Sequence, residues 1–127
     1  GPAPLDLDGV RLEFANGADG PVWQLRWSGA AGQELAPGAR FLIVDRGWTA
    51  APRADAEAAL ALQNGPDAIR LVRGGAVLDL VGYGALTDTL LSEGRPAPVA
   101  PGRALARRPD GRDTGDNRAD FVSAPPT

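Results

Sequence analysis

The sequence predicts an all-β chain, an antiparallel β-sandwich of about seven to nine short strands. Three observations carry that prediction. Seventeen Gly and twelve Pro break the 127 residues into short pieces. Between the breaks, apolar residues mostly alternate with polar ones, the period of a half-buried strand. A βαβ alternation is missing, so a parallel sheet is not expected. The length suits one domain, residues 1–127.

Val10-Arg11-Leu12-Glu13-Phe14 places apolar side chains on one face and charges on the other. Asn16-Gly17-Ala18-Asp19-Gly20 supplies a turn, and Val22 to Trp27 alternates again, so the two segments read as a hairpin. Trp23, Leu25 and Trp27 share a face there and are expected in the core, where a large aromatic removes the most area from water. Ala36-Pro37-Gly38 is a turn, and Phe41-Leu42-Ile43-Val44 is an unbroken apolar run, as in a strand covered on both sides. Residues 46–66 are less regular, and Ala54 to Leu60 has the propensity for one or two helical turns.

Ala68 to Val81 forms the clearest unit, with Gly74-Gly75 as a two-residue hairpin loop. Pairing outward from that loop sets Val72 against Val77, Leu71 against Leu78, Arg70 against Asp79 and Ile69 against Leu80. Ile69, Leu71, Leu78 and Leu80 then make a core face. Arg70 and Asp79 make a cross-strand ion pair worth roughly 0.2–1 kcal/mol. Residues 82–102 are a long connection rich in Gly and Pro, of the kind that crosses between sheets or carries function. Arg103 to Arg107 and Asp120 to Ser123 read as the last strands, and Pro125-Pro126 ends them.

Composition removes whole function classes. The chain has no His, Cys or Met. Without His and Cys there is no Ser–His–Asp triad, no thiolate nucleophile, no imidazole or thiolate metal site and no disulfide. Only an Asp/Glu mechanism would survive, so the chain reads as no enzyme, with no cofactor. The missing Met marks an expected excision from a longer protein, and Gly1-Pro2 is either native or a cleavage scar. The thirteen basic residues are all Arg, and the net charge is −3. Residues 1–64 hold eight acids and five Arg, and residues 65–127 hold eight of each. Neither half offers the basic patch that displaces counterions from phosphate, so nucleic acid is not an expected partner. No apolar run approaches the ~18 residues of a membrane span.

The densest group of candidate ligands is Asp110, Asp113, Asp116, Asn117 and Asp120. Calcium takes six to eight oxygens of this type. The spacing departs from an EF-hand loop, since counting from Asp110 puts Arg112, Thr114 and Phe121 at the third, fifth and twelfth positions. The competing reading is that these residues shape turns and cap backbone groups, with Arg103, Arg107, Arg108, Arg112 and Arg118 as counter-charges. Trp48 follows Arg46-Gly47 in a loop. It reads first as a plug closing the end of the sandwich, and second as an exposed contact for protein or sugar, with Tyr83 as a further binding candidate. Glu34, Glu57 and Glu93 offer no pair at a defined spacing, so a glycosidase-like pair of carboxylates finds no support. Gly74-Gly75 and Gly82-x-Gly84 lack the Lys of a phosphate loop.

The C-terminal half also carries an ordered set of features: Asp67-Ala-Ile-Arg-Leu71, a tight turn, Val77-Leu-Asp79, Val81-Gly-Tyr83-Gly84, Glu93-Gly94, Gly102-Arg-Ala-Leu-Ala-Arg107, Asp113-Thr-Gly-Asp-Asn117, Asp120-Phe121 and Ala124-Pro-Pro-Thr127. Leu5-Asp6-Leu7-Asp8-Gly9-Val10, Leu35-Ala-Pro-Gly38 and Phe41-Leu-Ile-Val44 agree more loosely in the front half. In this order and spacing the chain resembles a lamin-tail domain of the bacterial type. The resemblance implies an immunoglobulin-like sandwich. It also implies a non-catalytic structural or interaction module of a larger, secreted or surface-attached bacterial protein, one that docks onto or tethers a protein partner. The family's opening strand has no counterpart before Leu5, so a strand from elsewhere, such as a neighbouring chain, is expected to fill that sheet edge. The alternative is a polysaccharide-binding or calcium-dependent adhesive sandwich.

Overall fold

The structure is a computed structural model that describes residues 2–50 and 53–126. Gly1 and Thr127, which close two segments discussed above, lie outside the described residues. Among the described residues ten strands follow one another: β1 (Leu5–Asp6), β2 (Arg11–Asn16), β3 (Gln24–Ser28), β4 (Glu34–Leu35), β5 (Ile43–Asp45), β6 (Ala56–Ala58), β7 (Asp67–Arg73), β8 (Ala76–Tyr83), β9 (Ala104–Arg107) and β10 (Phe121–Ala124). A 3-10 turn, Thr89–Leu91, and one short helix, α1 (Asn117–Asp120), interrupt them. The fold is all-β and mostly antiparallel. Its centre is a four-stranded sheet in the order β3-β2-β7-β8, accompanied by the two-stranded pairs β1-β4, β9-β10 and β5-β6.

The first predicted hairpin forms. Asn16 shapes its turn by accepting the Ala18 amide on its side chain at 2.9 Å and the Asp19 amide on its carbonyl at 3.0 Å. A register shift between Leu12 and Glu13 turns part of β3 outward. Leu25 is therefore exposed rather than core, and the two tryptophans are half-buried. Trp23 lies under the Arg70 guanidinium at 4.2 Å, and Trp27 packs on Phe41 with ring centroids 5.4 Å apart.

The second hairpin keeps its two-glycine turn, where φ is +56° at Gly74 and +80° at Gly75, the left-handed pair a type I′ turn requires. Val72 faces Val77 as expected. Beyond that pair a bulge intervenes, and Leu78 is the extra residue. Leu71 then faces Asp79, Arg70 faces Leu80 and Ile69 faces Val81. This corrects the expected register, and it explains why Leu78 is 51 % exposed instead of buried. The expected Arg70–Asp79 pair is replaced by two others. Arg70 reaches Glu13, directly across from it on β2, at 2.8 Å, and Asp79 reaches Arg107 at 2.8 Å.

Two further expectations give way. Ala54 to Leu60 forms no helix, because Ala56–Ala58 pairs with β5 as β6. That pair is parallel, so the sheets are not purely antiparallel. The apolar run Phe41 to Val44 becomes strand only from Ile43, and only Val44 is buried.

The core depends on small residues at one level of the central sheet. Ala15, Ala68 and Gly82 lie opposite one another across β2, β7 and β8. Leu91, fully buried, packs against Ala15 and Ala68, with Trp23, Leu80 and Leu86 around it. Burying such a side chain contributes about 1.5–3 kcal/mol. The 3-10 turn that delivers Leu91 is capped by Asp88, whose carboxylate accepts the Leu90 amide at 2.9 Å. Gly82 is needed for this approach: a Cβ there would sit 2.3 Å from the Leu91 carbonyl oxygen. On the other face of the sheet, Ile69, Val81 and Tyr83 meet Leu105 and Phe121 of the β9-β10 ribbon across a cleft of about 400 Å³.

Candidate functional site

The five residues singled out as oxygen ligands do not converge. Asp110 pairs with Arg112 at 3.0 Å and accepts its amide at 3.2 Å. Asp113 accepts the Gly115 amide at 3.1 Å. Asp116 begins α1 by accepting the Arg118 amide at 3.2 Å, and it pairs with Arg95 at 2.7 Å. That Arg95 bond holds the Asp116 carboxyl below its ordinary range; desolvation opposes it, and the Arg95 amide and charge add to the lowering. For Asp120, burial works against ionisation. The Thr114 hydroxyl at 2.7 Å and amide at 2.9 Å, with Arg107 nearby, outweigh it and keep the carboxyl low. These groups are turn formers, caps and ion-pair partners within the described residues.

Asn117 does something different. It is 1 % exposed. Its side-chain carbonyl accepts the Gly82 amide at 2.9 Å and the Glu93 amide at 3.0 Å, and its NH₂ donates to the Leu80 carbonyl at 2.9 Å. It thereby pairs the outer edge of β8 as a neighbouring strand would. Ala97 extends the cover, donating to the Gly82 carbonyl at 2.7 Å and accepting the Gly84 amide at 3.0 Å. The Asn117 amide also donates to the Glu93 carbonyl at 2.7 Å, which closes the link from both sides.

Beside this link the chain brings together three carboxylates the sequence did not group. Asp79, Glu93 and Asp113 each offer an oxygen, all within 4.8 Å of one another. Only Asp113 belonged to the expected set. Asp79 arrives because the β8 bulge turns it toward Arg107, and Glu93 because Asn117 holds its backbone. Arg107 serves as counter-charge to Asp79 while also donating to the Arg112 carbonyl at 3.0 Å and covering the Phe121 ring at 4.6 Å. One Glu93 oxygen, Oε2, is buried with no hydrogen-bond partner. Burial, then the charges of Asp113 and Asp79, push the Glu93 carboxyl above its ordinary range, and Arg107 opposes them.

The two aromatic candidates separate. Tyr83 is half-buried, and its hydroxyl donates to the Gln63 carbonyl at 2.9 Å. Burial, with Asp67 adding to it, pushes its pKa up to about 12. Trp48 is 53 % exposed, which corrects the expectation of a plug.

The central sheet also has an edge with no cover. Among the described residues, no backbone hydrogen bond reaches the outer side of β3. Leu25, on β3, is exposed. Nothing in the sequence separates this edge from that of β8, because the cover on β8 comes from residues 15 and 35 positions further along the chain. Among the described residues no helix is long and apolar enough to cross a membrane. No family model, curated protein or solved structure matches the chain.

Proposed function

We propose that the chain is a non-catalytic interaction module that docks a protein strand on the outer edge of β3. The observation that supports this reading is the asymmetry of the central sheet: β8 is closed by Asn117 and Ala97, whereas β3 is open. Strand addition uses such an edge, with main-chain bonds for affinity and alternate side chains for specificity. An exposed, half-apolar edge left unpaired is a liability that folds usually cover or charge. Its persistence here, with Leu25 46 % exposed, is what a docking surface needs. The absence of His and Cys from the sequence favours a non-catalytic role. The ordered resemblance to bacterial lamin-tail domains supports an immunoglobulin-like sandwich and a place in a larger secreted or surface-attached protein.

The strand committed to is β3 of a second copy. In an antiparallel pair of the two β3 edges, the outward main-chain groups of each copy meet those of the other, and the exposed Leu25 of each lies at the seam. Arg26 of each copy is already drawn inward over the Phe14 ring, 4.9 Å from its centroid. Sedimentation velocity over a wide concentration range tests the proposal. The expected result is a concentration-dependent dimer that Leu25→Lys returns to monomer. A chain that stays monomeric at every concentration overturns the proposal.

A further inference from the structure

Trp48 is the one tryptophan whose ring has no aromatic or cationic partner among the described residues. Its exposure is not the result of a loose backbone. Gly47, at φ +84°, turns the chain after β5, and the Trp48 amide then donates to the Asp45 carbonyl at 3.2 Å. The same turn is fastened to the end of β6 and the chain just after it. The Arg46 amide donates to the Ala58 carbonyl at 3.2 Å, and the Asp45 carboxylate accepts the Leu60 amide at 3.0 Å. A large apolar ring is thus held at the surface from a fixed base.

The ring lines an open shelf of about 570 Å³, and the other side chains able to hydrogen-bond there are Thr49, Arg53, Asp55 and Glu57. Asp55 has one carboxylate oxygen occupied by the Leu42 amide at 2.7 Å, and its other oxygen has no hydrogen-bond partner among the described residues. Among the described residues neither Arg53 nor Glu57 makes an ion pair. The shelf therefore combines one flat, electron-rich face with acceptors that are not spent and one donor cation.

We propose that this shelf binds a neutral saccharide, stacked on Trp48 and hydrogen-bonded through Glu57, Asp55 and Arg53. A pyranose presents a face of polarised C–H groups, which the indole face attracts, and a rim of hydroxyls, which carboxylates accept in numbers. Two carboxylates against one guanidinium disfavour an acidic saccharide. A quaternary or methylated ammonium would meet a single aromatic wall with Arg53 beside it, not the several rings that cation recognition uses. A wholly apolar ligand would leave the polar lining without water or partners. The open shape suits the side of an extended chain rather than an enclosed small molecule. This site is separate from the β3 edge, and the two proposals stand or fall independently.

The test titrates the whole chain with cellohexaose, xylohexaose, mannohexaose and chitohexaose, following tryptophan emission and the heat of binding. Saturable binding of at least one of them is expected, with a blue shift and with Trp48 shielded from iodide. Trp48→Ala should lower the affinity about tenfold, the scale of one aromatic stacking contact. Glu57→Gln should lower it less, and Leu25→Lys should leave it unchanged. Trp48→Ala changes an exposed side chain, so its unaltered far-ultraviolet circular dichroism serves as the folding control. No response to any of the four sugars at about 10 mM, beyond the millimolar range of weak complexes, overturns the proposal. So does equal binding by wild type and Trp48→Ala.

Discussion

Along β8, the outward backbone groups are met by a buried asparagine from α1 and by the strand-like passage of Ala97. Along β3, on the far side of the same sheet, no described residue meets them. The two edges have similar backbone chemistry and different fates. A side-chain amide can stand in for a strand when it is fixed at both ends, as Asn117 is by the Glu93 backbone. The sealed edge belongs to stability, and the open edge is the one to which docking is proposed.

Removing the seal should have the largest effect. Asn117→Ala would strand the Gly82 and Glu93 amides and the Leu80 carbonyl, with a loss of about 3–5 kcal/mol, since each buried orphan costs about 1–3 kcal/mol. Urea denaturation measures it, and a loss under about 1 kcal/mol would mean that β8 does not depend on this residue. Gly82→Ala comes next. Its methyl group would collide with the Leu91 carbonyl, and overpacking of this kind costs about 1–3 kcal/mol. Leu25→Lys, on the open edge, should stay within about 0.5 kcal/mol of wild type in the monomer. The same substitution should abolish self-association, so stability and assembly would separate between the two edges.

Acidity offers a finer comparison. The Glu93 carboxyl is raised in the fold, so its contribution is present below the ordinary glutamate value of 4.5 and is lost as the pH rises through the raised value. Asp116 and Asp120 are lowered, so theirs is present above the ordinary aspartate value of 3.8 and is lost as the pH falls through the lowered values. Glu93→Gln should therefore flatten the decline in stability on the alkaline side of 4.5 and leave the acid limb in place. Denaturant melts across this range would detect the change, and an unaltered slope would remove Glu93 as the titrating group. The smallest effect is expected at Trp48, where alanine should change stability by less than about 0.5 kcal/mol.

Much of the architecture was legible because strand alternation and turn chemistry are local. Both hairpins, the Asn16 turn and the Gly74-Gly75 turn follow from that logic. The bulge at Leu78 was not legible, since the ion pairs that accompany it, Asp79–Arg107 and Arg70–Glu13, join positions 28 and 57 apart. The site was legible by residue and not by role. Asn117 stood among the candidates as a metal ligand, but its neighbours in space, Leu80, Gly82 and Glu93, are invisible in a run of aspartates. Trp48 was visible as a tryptophan in a loop, and its exposure depended on how Asp45, Ala58 and Leu60 anchor that loop.

Amide hydrogen exchange at low and high protein concentration tests the contrast between the two edges most directly. The Gly82 amide should be protected at the level of global unfolding under both conditions. The outward amides of β3 should exchange quickly in dilute solution and gain protection as the concentration rises, and Leu25→Lys should prevent that gain. Rapid exchange at Gly82, or β3 amides whose exchange is the same at every concentration, would contradict the account.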